Sequence, residues 1–348
     1  MLQFITKKIV YGILVLTGVV VMVFFLFQGF GDPARLVLGQ SGDAKTIKNI
    51  RKELGLDEPK WRQFLLYAND VSPIAIHSAS DIATKQLKGI FIGSNAVKAG
   101  IKFPYLRRSY QTKKKVTDVL LEALPGTIIL AITAMLIATI IGILLGVLAA
   151  VKQNTFWDTG SIFASVIGIS APSFFMGIML AYLFGFVLSK YTGLHMTGSL
   201  YDIDAFTGKN LQLKNLILPA ITLGIRPLAI IVQLTRSAML DVLDQDYIRT
   251  AYAKGLSKRA VIFKHALRNA LNPVITAITG WFAELLAGAF FVEYIFGWKG
   301  IGKVTVDALE KLDFPVVMGS VLITATFFIL VNILADVLYT VVDPRISQ

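Results

Sequence analysis

Residues 246–273 read DYIRTAYAKGLSKRAVIFKHALRNALNP and separate two long apolar stretches of the chain. Residues 246–254 have a helix-forming composition, and Gly255 stands where a left-handed residue would end that helix. Ser257 can accept a free backbone amide at the start of a second helix, which we expect to reach about Ala270. The stretch therefore predicts two short helices joined at a glycine and lying at a membrane surface.

The second of these helices is basic and amphipathic. Composition alone fits an interfacial helix on anionic lipid or a positively charged cytoplasmic loop. His265 is isolated, so docking or capping suits it better than metal binding or proton transfer. The apolar residues are Ala260, Val261, Phe263, Ala266, Leu267 and Ala270, and the polar ones are Lys258, Arg259, Lys264, His265, Arg268 and Asn269.

The whole chain has the composition of a membrane protein. It has 348 residues, of which 55% are hydrophobic, and a formal net charge of +12. The absence of cysteine excludes disulfides, cysteine-ligated metals and cysteine nucleophiles. The three histidines lie far apart in the sequence, which does not favour a histidine metal site. The basic residues are spread over the loops, so membrane topology and anionic lipid explain them better than nucleic acid does.

Apolar segments predict an all-α membrane protein with six spans. Each segment is long enough to cross a hydrocarbon core of about 30 Å. Pro172 is expected to kink the third span. The predicted spans are 9–31, 123–151, 159–189, 215–235, 273–292 and 314–335.

The spans imply three regions along the chain. Residues 1–31 hold the N-terminus and first span, 32–122 form a small external domain, and 123–348 form a five-helix core with a cytoplasmic loop at 240–272. Within the external domain, 46–54 and 60–67 are predicted to be short helices.

The distribution of basic residues predicts the orientation. With both termini inside, the cytoplasmic segments hold eleven Lys and Arg residues and the short external loops hold six. That bias places both termini and the loop 246–273 in the cytoplasm. The lysine cluster at 113–115 argues for the opposite orientation.

Two charged residues interrupt the apolar spans. Arg226 and Glu284 each lie about 16 Å from a predicted span end, near the bilayer midplane. Charges at that depth usually pair or face an aqueous path. We therefore predict an Arg226–Glu284 ion pair that lines a translocation path; the alternative is a buried structural pair that touches no substrate.

Residues 297–303 read GWKGIGK and fit the first part of a phosphate-binding loop. The next residue is Val304, where such loops need Ser or Thr to bind magnesium. The segment also follows a predicted span rather than a buried parallel strand. We interpret the match as coincidental, so this chain is not expected to hydrolyse ATP.

The loop 246–273 also carries a recognisable motif. Ala251 and Gly255 in A-x-x-x-G spacing, followed by HALRNALNP at 265–273, resemble the "EAA" loop of permease subunits of binding-protein-dependent ABC importers. Residues 246–256 resemble the oligopeptide/dipeptide/nickel branch of that family, in which the leading Glu is replaced, here by Arg249. Shorter resemblances occur at 31–35, 51–57, 106–110 and 292–308, whereas 69–103 matches nothing and is interpreted as an insertion.

The resemblance implies a type I ABC importer permease fold of six helices and a non-catalytic subunit of the bacterial cytoplasmic membrane. Its implied partners are a second homologous permease, two cytoplasmic ATPase subunits, an external solute-binding protein and membrane lipid. ATP and magnesium would bind the ATPase subunits, and no cofactor would bind this chain. The residues expected to contact an ATPase subunit are Asp246, Tyr247, Arg249, Ala251, Gly255, Leu256, Ser257, Val261, His265, Arg268 and Asn269.

Two other classes of protein are alternatives. A self-sufficient secondary transporter or channel would be expected to show inverted repeats or broken helices, and no convincing pair of matching halves is present. A membrane-embedded enzyme needs a cluster such as His with Asp or Ser within the spans, and none stands out in the sequence. Peptides or similar small solutes are the substrates that the resemblance implies.

Overall fold

A computed structural model of the chain describes residues 2–28, 57–204 and 208–342. The helix expected over 46–54 and the motif at 31–35 lie outside these residues.

The described residues are mainly helical, with five short strands. In chain order they are α1 Leu2–Gln28, α2 Lys60–Val71, β1 Ile74–His77, α3 Ala79–Lys85, β2 Gly89–Gly93, β3 Lys98–Lys102, α4 Val116–Val151, α5 Phe156–Ser170, α6 Ser173–Tyr182 with a π-helical turn Leu183–Val187, α7 Ser189–Thr192, β4 Tyr201–Asp204, β5 Gly208–Leu211, α8 Lys214–Leu243, α9 Asp246–Ala253, α10 Lys258–Ala260 with a π-helical turn Val261–Ala266, α11 Leu267–Gly288, α12 Phe290–Ile295, α13 Ile301–Glu310 and α14 Phe314–Val342.

Four of the described helices, α1, α4, α8 and α14, are long and apolar enough to cross a membrane. The pair α5–α6 also passes when its two helices are taken together, although they meet at 109°. The described residues therefore hold up to five spans by length and composition.

The segment predicted as one kinked span over 159–189 is a pair of helices, because the chain turns sharply at Ala171 and Pro172. Both residues are extended, with ψ of 131° and 134°. Proline disfavours a helical conformation at the residue before it, so α5 ends at Ser170 and α6 begins after Pro172.

The span predicted over 273–292 also has different limits. The helix runs through Pro273 and is continuous from Lys258 to Gly288, with the π-helical turn near its start. It ends at Ala289, before the short helix α12. The prediction that the cytoplasmic helix stops at Ala270 is therefore wrong, because no break separates it from the segment that follows.

The chain divides into two compact units, each with its own apolar core. The first comprises residues 1–5, 125–303 and 327–348, and the second comprises 6–124 and 304–326. The core of the first includes Leu130, Ala134, Leu218, Ile231, Val274, Phe296 and Trp298. The core of the second includes Phe24, Tyr67, Leu106, Val116, Leu120, Val316 and Val317.

Residues 74–102, which fall in the predicted insertion, form an antiparallel sheet in the order β1-β3-β2. Ile74 and Ile90 both pair with Ile101 across the sheet. All three side chains lie on one face and are 68–77% exposed. Alternation along the strands thus leaves one apolar face uncovered within this chain.

At the opposite face of the sheet, the buried residue Asp70 near the end of α2 accepts hydrogen bonds from basic side chains. Its carboxylate accepts hydrogen bonds from Lys85 Nζ at 2.6 Å and Arg107 Nε at 3.2 Å. Lys102 donates to the Asp70 carbonyl oxygen. Burial, opposed by Asp70 and assisted by nearby Lys85, lowers the pKa of Lys102 to about 8.

Candidate functional site

The two-helix segment 246–273 has the glycine joint that its sequence predicts. Gly255 adopts φ of +77° after α9. Its amide donates to the Tyr252 carbonyl at 2.9 Å, and the Leu256 amide donates to the Ala251 carbonyl at 3.3 Å. This pair of bonds is a Schellman motif, which satisfies carbonyl groups left free at the helix end. The predicted left-handed C-cap is confirmed.

The predicted N-cap at the start of the second helix is also confirmed. The Ser257 hydroxyl accepts a hydrogen bond from the Ala260 amide at 3.3 Å. From there the helix continues through its π-helical turn into α11, so the joint at Gly255 is followed by one long helix.

The inner face of the segment packs on the ends of α4 and α8. Ile248, Val261 and Ala266 are at most 1% exposed and belong to one cluster with Val147 and Met239. Fully burying a side chain such as Ile or Val contributes about 1.5–3 kcal/mol each. The segment is therefore fixed to the helical core by apolar burial.

The outer face of the segment presents aromatic side chains among charges. Tyr252 is 44% exposed and Phe263 is 48% exposed. Neither residue is among the eleven predicted ATPase contacts, although Phe263 is one of the apolar residues of the predicted amphipathic helix. Exposed apolar side chains of this size on a structured surface indicate a docking site when they cluster.

The eleven residues predicted to contact an ATPase differ in their exposure: two are buried, one is half-buried and eight are exposed. Ala251 and Val261 are buried in the inner cluster, so they support the segment rather than its surface. His265 is half-buried. The other eight are exposed: Asp246, Tyr247, Arg249, Gly255, Leu256, Ser257, Arg268 and Asn269.

A buried ion pair lies near the N-terminus of α5. Arg236 of α8 donates from Nε and Nη2 to the two carboxylate oxygens of Asp158, at 2.5 and 2.9 Å. The Asn154 amide donates to the same carboxylate at 2.9 Å. The Asp158 side chain is 4% exposed and the Arg236 side chain 22%, so this bidentate pair joins α5 to α8 with its carboxylate largely buried.

A second feature is a cleft of about 90 Å³ between α5, α6, α8 and α11. Arg226 and Glu284 both line it, and both are exposed. The Arg226 guanidinium lies over the ring of Trp281, 5.7 Å from its centroid. No ion pair joins Arg226 to Glu284 in the described structure, so the predicted pair is not formed here. The remaining lining residues are Gly168, Ala171, Ser173, Met176, Thr222, Leu223, Ile225, Pro227 and Leu285.

Backbone amides of the segment 297–303 bind a carboxylate from the same chain, that of Glu293. Glu293 is fully buried and accepts hydrogen bonds from the Gly302 amide at 2.7 Å and the Lys303 amide at 3.2 Å. Thr127 Oγ1 donates to the other oxygen at 2.7 Å. Amides that a phosphate-binding loop would offer to phosphate are thus already occupied, in line with the interpretation of a coincidental match.

Family models match most of the chain. Residues 142–348 match the binding-protein-dependent transport system inner membrane component, and residues 1–80 match the N-terminal part of such membrane components. The larger match contains the two-helix segment, the cleft and the buried Glu293.

Relatives extend the similarity over the full length. The chain is 35% identical to the dipeptide transport system permease protein of Alkalihalophilus pseudofirmus, over 100% of both chains. It is 38% identical to the di/tripeptide transport system permease protein of Pseudomonas aeruginosa, over 100% of this chain and 99% of the relative. It is also 34% identical to the glutathione transport system permease protein of Escherichia coli K12, over 99% of each. The chain therefore belongs to the permease subunits of binding-protein-dependent ABC importers, in their peptide/nickel branch.

Proposed function

We propose that this permease subunit forms one half of a path for small peptides and that residues 246–273 dock onto a cytoplasmic ATPase subunit. The observation that carries the docking proposal is the two-sided character of the segment. Its inner face is buried against α4 and α8, while Tyr252 and Phe263 remain exposed. The printed names of the relatives, which specify dipeptides, di/tripeptides and glutathione, support a peptide substrate.

The rest of the assembly follows from membership of the family. A second homologous permease would supply the other half of the path, and a solute-binding protein would deliver the substrate outside. ATP and magnesium would bind the two ATPase subunits, so this chain would contribute no catalytic residue. Motion of the ATPase subunits would reach the spans through the docked segment.

The docking proposal is tested with aromatic substitutions in the purified complex. We expect the double variant Tyr252→Ala/Phe263→Ala to weaken retention of the ATPase subunit about tenfold or more, since exposed aromatics often anchor interfaces. Tyr191→Ala is the matched control, because Tyr191 is 85% exposed but lies on α7, far from this segment in sequence. Equal retention by the wild type and the double variant would contradict docking through this face.

Orientation and the number of spans belong to the same proposal. We propose six spans with both termini in the cytoplasm and the described part of 32–122 outside. The chain contains no cysteine, so single cysteines report position without background labelling. Lys254→Cys should react with an impermeant thiol reagent only from the cytoplasmic side, and Tyr191→Cys only from outside. Labelling of Lys254→Cys from outside would reverse the proposed orientation.

Dependence on partners separates this function from that of a self-sufficient transporter. Vesicles that contain this chain alone should not accumulate peptide, whereas vesicles with the complete complex should do so when ATP is present. Uptake by the isolated chain would contradict the proposed function.

A further inference from the structure

We propose that Arg226 and Glu284 bind the two charged ends of a zwitterionic peptide during its passage, Arg226 the terminal carboxylate and Glu284 the terminal ammonium. The inference rests on the proposed function, because it places a peptide subsite on the path of this subunit.

The first support is that two opposite charges line one cleft without forming an ion pair. Arg226 lies on α8 and Glu284 on α11, and both line the cleft. Trp281 and Glu284 are three residues apart, so they share one face of α11. The Arg226 guanidinium lies 5.7 Å from the centre of the Trp281 ring. Both charges therefore line one cleft, yet no ion pair joins them in the described structure.

The second support is the cost of leaving such groups unpaired. Arg226 lies near the middle of α8, where an ionised side chain is expensive unless it pairs or faces water, and Glu284 lies four residues before the end of α11 at Gly288. Both side chains line the cleft and are exposed within this chain. A solute with one charge of each sign would neutralise both at the same time.

The third support is a match of size and chemistry. An extended dipeptide spans about 7 Å and carries one charge of each sign at its ends, which suits two opposite charges that line one cleft without pairing. Guanidinium binds carboxylate through two parallel hydrogen bonds, and a carboxylate is the natural partner of an ammonium group. Trp281 also lines the cleft and supplies an apolar ring, against which a side chain or the peptide plane can pack.

The subsite is tested by equilibrium binding of radiolabelled dialanine to the purified complex without its solute-binding protein. We expect Arg226→Gln and Glu284→Gln each to weaken binding about tenfold or more, since each removes a charge-assisted contact. Arg226→Lys and Glu284→Asp keep the charge and should retain part of the affinity, which separates recognition from misfolding. Lys88→Gln, a neutralised exposed cation on the sheet segment, is the control and should bind like the wild type.

Blocked peptides assign each charge to one end. N-acetyl-dialanine and dialanine amide should both bind the wild type about tenfold more weakly than dialanine. Glu284→Gln should no longer discriminate against the acetyl group, and Arg226→Gln should no longer discriminate against the amide. Equal binding of blocked and free dialanine by the wild type would overturn the proposal, as would the opposite pattern in the two variants.

The double variant Arg226→Gln/Glu284→Gln distinguishes the subsite from a structural pair. A structural pair predicts recovery in the double variant, because no uncompensated charge remains. Recognition of the peptide ends predicts binding at least as weak as in either single variant, and recovery would overturn it.

ATP-driven uptake with the solute-binding protein present tests the proposed function separately. Uptake by a wild-type complex that binds no dialanine would overturn the subsite and leave the function standing. Binding without uptake would support the subsite and contradict the function.

Discussion

The Tyr247 hydroxyl accepts a hydrogen bond of 2.7 Å from the amide nitrogen of Asn269. The bond links α9 to the first turn of α11 across the joint at Gly255. Together with the inner apolar cluster, it sets the angle at which the exposed aromatic residues are presented. The segment is thus held by a polar contact near its surface and by burial beneath it.

Loss of the Tyr247–Asn269 bond should loosen α9 without unfolding the core. Asn269→Ala and Tyr247→Phe should each speed amide exchange within 246–253, because a net contribution of about 0.5–1.5 kcal/mol is lost. Hydrogen exchange with mass spectrometry measures this locally. Tyr252→Phe is the control, since its hydroxyl makes no hydrogen bond within the described residues. A similar acceleration in the control would disprove the role of the bond.

Substitution of the joint glycine should strain the backbone without a steric clash. No atom lies within 4 Å of a Cβ built at Gly255, but its φ is +77°. A side chain in that conformation costs about 1–2 kcal/mol, so Gly255→Ala should lower coupled ATPase activity and local protection in 246–260. Gly280→Ala is the matched control: it is equally open, has an ordinary helical φ, and should stabilise α11 slightly. A larger loss of activity and local protection in Gly280→Ala than in Gly255→Ala would contradict this account.

Breaking the Asp158–Arg236 pair should destabilise the α5–α8 contact strongly. Arg236→Gln leaves a buried carboxylate without its partner, for which about 3–5 kcal/mol is typical. Thermal unfolding of the purified protein measures the loss, and the exchanged pair Asp158→Arg/Arg236→Asp should regain part of it. Arg62→Gln is the comparison, because the Arg62–Glu58 pair is 57% and 38% exposed and should contribute at most about 1 kcal/mol. If Arg62→Gln lost as much thermal stability as Arg236→Gln, burial of the Asp158–Arg236 pair would not strengthen its contribution to stability.

The cradle around Glu293 should not accept a methyl group. A Cβ at Gly300 would lie 2.3 Å from Glu293 Oε2, closer than any non-bonded contact allows. Gly300→Ala should therefore lower the unfolding temperature of the complex by several degrees, as overpacking typically costs about 1–3 kcal/mol. Gly160→Ala, with nothing within 4 Å of the added atom, should not. An unchanged unfolding temperature for Gly300→Ala would mean that the Glu293 contacts are dispensable.

Local signals predict the helical segments and their caps well. Gly255, Ser257 and the helix at Lys60 follow from composition and spacing along a few residues, and the structure confirms each of them. The alternating Ile residues at 74 and 76 and at 90 and 92 also carry a strand signal, although the insertion was not assigned strands. This alternation is the sequence signal that indicates the sheet.

Other features depend on contacts between distant residues. The angle at Pro172 is set by how α5 and α6 pack on α8, so a proline alone predicts a kink but not a turn of 109°. Equal depth in two spans likewise predicts that Arg226 and Glu284 are neighbours, but it does not fix side-chain pairing. Glu293 finds its donors on Thr127 and on the first turn of α13, which no local pattern reveals.

The unbroken helix from Lys258 to Gly288 carries Phe263 near one end and Glu284 near the other. Twenty-one residues of helix separate them, a distance of about 30 Å. The helix is continuous but contains a π-helical turn at Val261–Ala266 and a proline at Pro273, so a tilt of the end that carries Phe263 would displace the carboxylate to the extent that these two places do not bend. Solute binding at Glu284 and docking of an ATPase subunit at Phe263 would then be coupled through one helix.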